Sequence, residues 1–112
     1  MTDVDRTLAA LADPTRRGVV DLLRRKPLRA GELADALSMS PPAMSRHLRL
    51  LRRSGLVEET GVDHDARVRV YRLRPEPFGD LRAWLGQLEA FCSDQLASFK
   101  AHADSARTRR RR

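Results

Sequence analysis

Cysteine is nearly absent from this 112-residue chain: Cys92 stands alone. No disulfide framework can form within one copy, and a reducing cytoplasm is the expected setting. Aromatic residues make up only 4% of the sequence, and Phe78, Trp84, Phe91 and Phe99 all fall in its last third. They are not interleaved with basic residues as in platforms that stack single-stranded nucleic acid. No apolar run approaches the roughly 18 residues of a membrane span. The opening Met1-Thr2-Asp3-Val4-Asp5 has acids where a signal peptide has a basic start and an apolar stretch, so no membrane partner is expected. No nucleophile–base pair, carboxylate dyad or phosphate loop is legible, which argues against an enzyme. Zinc takes about four converging N, S or O ligands, and no such set is visible; neither metal nor cofactor is expected.

What is present suits one modest domain: 41% of residues are hydrophobic and 33% charged. The net charge of +7 is less informative than it looks. Arg107, Arg109, Arg110, Arg111 and Arg112 lie at the very end, and without them residues 1–106 hold only +2. The useful signal is clustering. Arg46, Arg49, Arg52 and Arg53 fall within eight residues that contain no acid. Residues 1–106 are expected to form the folded domain and 107–112 a disordered arginine-rich tail.

Punctuation and period divide the domain. Val4, Leu8 and Leu11 follow a helical stripe over about 3–12. Asp13-Pro14 pairs a capping carboxylate with proline at a first helical position, opening a helix that Lys26-Pro27 stops. A short helix over about Ala30 to Leu37 and a turn at Ser38-Met39 lead to Ser40-Pro41, which repeats the capping signal. The helix so opened runs to about Ser54, where Gly55 and Leu56 form a C-terminal cap. Val57 to Gly61 and Arg67 to Leu73 read as two strands joined by a loop over Val62 to Ala66. A last helix covers about 78–103. The expected fold is therefore mainly α with a small β-hairpin, a winged helix-turn-helix.

Two short helices joined by a tight turn, the second amphipathic, make a helix-turn-helix. In the second helix Ala43, Met44, His47, Leu48 and Leu51 share one side, while Ser45, Arg46, Arg49, Arg52 and Arg53 spread over the rest. Such a helix anchors its apolar stripe on the domain and enters the major groove of double-stranded DNA with its polar face. Arginine matches guanine O6 and N7 with two parallel donors. Ser45 and Arg46 are the expected base readers, and Arg49 reads or grips the edge of the site. Arg52, Arg53, Arg67 and Arg69 are the expected phosphate contacts, with Ser40 capping a helix N-terminus that favours an anion. The plain alternative is a solvated basic face, against which the preceding helix, the turn, the double cap and the hairpin all weigh. For Arg67 and Arg69 the alternative is charge guarding a strand edge. His47 is equally readable as a DNA donor or as a half-buried packing residue.

A last helix of about 25 residues is about 38 Å long, more than so small a domain can cover. Its stripe, with Leu81, Trp84, Leu85, Leu88, Phe91 and Leu96, is expected to meet a second copy of the chain, joined by Leu8 and Leu11 of the first helix. Cys92 falls on the same stripe and reads as a buried, inert thiol.

The ordered series Ala9, Leu11-Ala12-Asp13-Pro14-Thr15-Arg16-Arg17, Gly31-Glu32-Leu33-Ala34, Ser45-Arg46-His47-Leu48, Leu51, Ser54-Gly55-Leu56-Val57 and Tyr71-Arg72-Leu73 resembles the ArsR-type winged-helix repressors over about residues 5–90. That resemblance implies a dimeric transcriptional regulator, usually a repressor, that leaves its operator when an effector binds. Metal-sensing members carry a cysteine pair in the third helix; Gly31 to Leu37 has none. Cys92, Asp94 and His102 do not match the last-helix metal sites either, so the non-metal-sensing branch is indicated. Asp65 stands about where the family favours glycine at the wing tip. The expected function is sequence-specific binding of a palindromic operator as a homodimer. A metal-responsive repressor and a sequence-indifferent architectural DNA binder are the alternatives, and the effector or partner protein stays unassigned.

Overall fold

The computed structural model describes residues 3–110, the side chains of 107–110 excepted. The elements run α1 (Asp3–Leu11), α2 (Pro14–Leu23), α3 (Ala30–Ala36), α4 (Pro41–Arg53), β1 (Val57–Val62), β2 (Asp65–Leu73) and α5 (Pro75–Arg110). The chain divides into two units, one ending at Leu81 and the other beginning at Arg82.

The helix boundaries in the first unit come from local chemistry. Asp13 Oδ2 accepts the backbone N–H of Arg16 at 3.0 Å, with Pro14 next to the cap. One orphan donor of α2 is thereby satisfied, and the missing proline N–H costs nothing there. Ser40 Oγ does the same for the N–H of Ala43 at 3.3 Å, ahead of Pro41. Between α3 and α4 the chain turns through Ser38 at φ 54°, a left-handed backbone that costs a non-glycine residue about 1–2 kcal/mol. The turn is held by the N–H groups of Ser38 and Met39, which donate to Asp35 and Ala34 carbonyls at 3.2 and 2.9 Å. Gly55, at φ 80°, takes the left-handed position after α4 that glycine adopts freely. The next residue, Leu56, donates its N–H to Leu51 O at 3.1 Å and drops into the core.

That core is assembled mainly from one stripe each of α2, α3 and α4. Val19 and Leu23 of α2, Leu33 and Ala34 of α3, and Met44, Leu48 and Leu51 of α4 close over Leu28, Leu56 and Val57. Gly18 lets α2 approach closely, since a Cβ there would stand 3.1 Å from Leu37 Cδ2. Thr7, a buried polar residue of α1, donates its hydroxyl to Asp3 O at 2.9 Å and so carries no unsatisfied group inside.

β1 and β2 pair antiparallel, with Val57 opposite Leu73, Glu59 opposite Tyr71 and Gly61 opposite Arg69. A single bridge joins Leu28, just ahead of α3, to Tyr71, through N–H···O contacts of 3.1 and 2.8 Å. It ties the base of the hairpin to the helix-turn-helix, and nothing in the local sequence announces it.

Three expected boundaries are corrected. The hairpin loop is Asp63-His64 rather than Val62 to Ala66, because the register shifts after Gly61 and Asp65 already pairs with Val62. α2 ends at Leu23 rather than near Arg25. α5 starts at Pro75, where proline fits a first helical turn, and continues to Arg110. Residues 107–110 are thus helical where a disordered tail is expected, while 111 and 112 lie outside the described residues. The reason is the absence of any proline after Pro77 or glycine after Gly86, with Ala97, Ala101, Ala103 and Ala106 favouring helix.

In the second unit, α5 leaves its apolar residues uncovered on the single chain. Trp84 is 38% exposed, Phe91 60% and Leu96 69%, with Leu85 and Leu88 similar. Cys92, expected to be buried, is exposed as well, since a lone helix supplies nothing to cover it. No helix among the described residues is long and apolar enough to cross a membrane.

Candidate nucleic-acid interface

α4 is held by one side. Met44, Leu48 and Leu51 are buried at helical spacing, which turns Ser45, Arg46, Arg49, Arg52 and Arg53 outward into solvent. Among the described residues Arg46, Arg49 and Arg53 make no side-chain hydrogen bond or ion pair. Three permanently charged, planar donor groups therefore project from one rigid helix with their hydrogen-bonding capacity open. Ser40 is exposed at the N-terminus of α4, where its oxygen caps the helix.

His47 points the other way. Its ring is about one-fifth exposed and lies against the start of α2, with Nδ1 3.4 Å from Arg16 Nη1 and 3.8 Å from Asp13 Oδ2. Asp13 is held below the ordinary carboxylate range, first by the Arg16 backbone N–H and then by the nearby His47 and Arg16 charges, against an opposing effect of partial burial.

Arg16 and Arg17 have a role the sequence did not disclose. Arg16 Nε donates to Ala10 O at 2.7 Å, and Arg17 Nη1 donates to Leu11 O at 2.8 Å and Ala12 O at 3.2 Å. Both guanidinium groups fasten the C-terminal carbonyls of α1, the negative end of its dipole. The only available signal was two arginines three residues into a helix, which by itself reads as surface charge.

The hairpin differs from α4. Glu59 gathers three donors: Arg52 Nη1 at 3.0 Å, Arg69 Nε at 3.2 Å and the Tyr71 hydroxyl at 3.3 Å. The register explains the convergence. Tyr71 directs its own N–H and C=O to Leu28, so on the β1 side it forms a non-hydrogen-bonded pair with Glu59, the geometry that brings side chains closest. Arg69 stands opposite Gly61, on the same face and one diagonal step from Glu59, with no side chain in its way. Burial and the Glu59 charge together push the Tyr71 phenol above its ordinary value, so it keeps its proton and donates. Arg67 is 94% exposed and leans on Asp65, whose Oδ1 also accepts its backbone N–H at 3.0 Å.

The structure thus gathers Ser45, Arg46, Arg49 and Arg53 on an open face of α4. Arg52 and Arg69 are joined through Glu59, which sequence reasoning missed; Arg67 stands apart at the wing, and His47 turns inward. Of the expected interface residues, Leu8 is exposed and Leu11 packs against the core. Leu81 is half-buried, and the remainder are exposed on α5. Among the described residues no three His, Cys, Asp or Glu side chains cluster as a metal site requires.

Known proteins share this arrangement. The pattern of the bacterial regulatory protein, arsR family, matches residues 13–59, from the cap of α2 to Glu59. Over 102 residues the chain is 40% identical to the HTH-type transcriptional regulator Rv2034 of Mycobacterium tuberculosis, a match spanning 90% of this chain and 89% of the relative. The chain belongs to the ArsR family. An ArsR-like transcriptional regulator from Rhodococcus sp. RHA1 superposes with a TM-score of 0.73 at 31% identity, covering 94% of this chain and 98% of that one. The homodimeric winged helix-turn-helix DNA-binding domain of Mb0332 from Mycobacterium bovis does so with a TM-score of 0.59 at 26% identity, covering 84% and 82%. The fold of this ArsR-family chain is accordingly the winged helix-turn-helix of a transcriptional regulator, with α3 and α4 as its helix-turn-helix and β1–β2 as its wing.

Proposed function

We propose that this ArsR-family regulator binds a palindromic double-stranded operator as a homodimer in the cytoplasm and represses transcription by occupying it. The observation that carries the reading is the outward, unpartnered set Arg46, Arg49 and Arg53 on a helix anchored by Met44, Leu48 and Leu51. Ser45 and Arg46 read base edges, Arg49 reads or grips the edge of the site, and Arg53 and Arg67 meet phosphates. Arg52 and Arg69 reach phosphates where Glu59 yields them. Dimerisation is supported by the uncovered side chains of Trp84, Leu85, Leu88, Phe91 and Leu96, with Leu8 on α1, and by the homodimeric state of the Mycobacterium bovis relative.

The test begins by recovering bound duplexes from a randomised DNA pool and aligning them. The expected product is an inverted repeat with half-sites about 34 Å apart, bound by two subunits. Log affinity should fall with log salt at a slope of about −7, as for roughly eight phosphate contacts. Recovered duplexes that share no sequence, or bind no better than random DNA in competition, overturn the reading. A monomer in sedimentation at the concentrations of binding overturns its dimeric part.

A further inference from the structure

The three-way grip of Glu59 puts a carboxylate in the middle of a surface whose other charged groups suit phosphate. One oxygen, Oε2, takes Arg52 from α4 and the phenol of Tyr71, while Oε1 takes Arg69 from β2. The carboxylate is about one-fifth exposed, whereas both arginines are about half exposed, so the acid sits beneath the cations and they remain reachable from solvent. Charged hydrogen bonds of this kind are the ones a phosphate oxygen would make to the same guanidinium groups. Glu59 also ties the last turn of α4 to the hairpin through its ion pair with Arg52.

We infer that Glu59 is a specificity-setting residue: its carboxylate stands in for a DNA phosphate, holding Arg52 and Arg69 in the free protein and discounting contacts with duplexes that offer charge alone. The inference rests on the DNA-binding reading above and deepens it. A random duplex attracts the surface only through its phosphates. To use Arg52 and Arg69 it must compete with an acid already in place and must approach that acid's own negative charge. An operator gains base contacts at Arg46 and Arg49 that Glu59 does not touch, so the acid weakens non-specific binding more than specific binding. The arginines then arrive at the backbone already extended across the gap between helix and wing.

Replacing the acid by its neutral isostere tests this. Glu59→Gln keeps a carbonyl for Tyr71 or Arg52 and adds one positive charge per subunit, two per dimer. On a random duplex of 30 base pairs, affinity in 0.1 M salt should rise on the order of ten-fold and the salt slope should steepen by about 2. Preference for the selected operator over that duplex should fall by about three-fold or more, in line with an added non-specific electrostatic contribution. Glu58→Gln is the control: it adds the same charge from the opposite face of β1, where Glu58 pairs with Arg72. If both variants shift binding alike, or if Glu59→Gln leaves slope and preference at wild-type values with its melting temperature retained, the inference fails.

Should Glu59→Gln not fold, Arg52→Gln/Arg69→Gln tests the same point in reverse. It should flatten the slope and weaken random-duplex binding about ten-fold or more, and an unchanged slope refutes the inference. Wild-type protein that selects no operator refutes the proposed function instead. Wild type that selects one while the Glu59 variants behave as wild type refutes only the role of Glu59.

Discussion

α4 and the hairpin are both rich in arginine and lie next to each other in sequence, yet they present that arginine differently. On α4, whose stretch from Arg46 to Arg53 contains no acid, Arg46, Arg49 and Arg53 face solvent unpaired, while Arg52 alone reaches an acid, Glu59 of the hairpin. On the hairpin every arginine meets a carboxylate: Arg69 with Glu59, Arg67 with Asp65 and Arg72 with Glu58. A positive charge on a helix that excludes acids is open to a ligand, and the same charge on a strand paired with an acidic strand is largely neutralised in place. The charge count of a segment therefore says less about its partners than the question of which acids its fold brings within reach.

The largest test of this contrast removes what aims α4. Leu51→Ala, at a fully buried position, should lower the unfolding free energy by about 2–5 kcal/mol through lost burial and the cavity left behind. Urea denaturation measures it. A loss under 1 kcal/mol would mean that α4 is not anchored by this stripe.

A sharper test compares one arginine from each region. Arg46→Ala should weaken operator binding by about 1–3 kcal/mol, roughly 5- to 150-fold, and relax selectivity at one base position. Arg67→Ala, already leaning on Asp65, should cost no more than about three-fold, and equally across sequences, as expected for a backbone contact. Anisotropy titrations on operator and random duplexes decide between them, and equal losses would erase the distinction between helix and wing. Neither change should move the melting temperature appreciably, since both side chains are exposed.

The smallest effect concerns Asp13, an acid that approaches α4 on its inner side, at His47. The folded state holds the Asp13 carboxyl below its usual value, so it binds protons less readily than the unfolded chain does. Its contribution to stability is complete above the unfolded value of about 3.9 and fades as pH falls through the lowered folded value. Urea midpoints between pH 7 and pH 3 should therefore decline less steeply for Asp13→Asn, which keeps a capping oxygen without the charge. Parallel declines would remove Asp13 from the balance.

Much of the scaffold was legible because its signals are local. Asp13-Pro14, Ser40-Pro41 and Gly55-Leu56 each place a cap within a few residues of the groups it satisfies, and the structure puts helix ends there. The inward stripe of α4 was equally readable, since helical spacing alone puts Met44, Leu48 and Leu51 on one side. The hairpin tip was misjudged by a few residues because the shift after Gly61 depends on how two strands meet. The helical continuation through residues 107–110 was obscured by the arginine run, although nothing there breaks a helix.

By itself, then, the order of amino acids determined the succession of elements, the buried stripe and the acid-free basic segment on α4, because each depends on neighbours a few positions apart. Only the tertiary structure decided that Glu59 occupies Arg52 and Arg69, that Arg16 and Arg17 close the end of α1, that Leu28 bridges to Tyr71 and that His47 turns toward α2. Hydrogen bonds and ion pairs act over a few ångströms of space, and the folded chain brings within that range groups that lie from a few to more than forty residues apart in sequence.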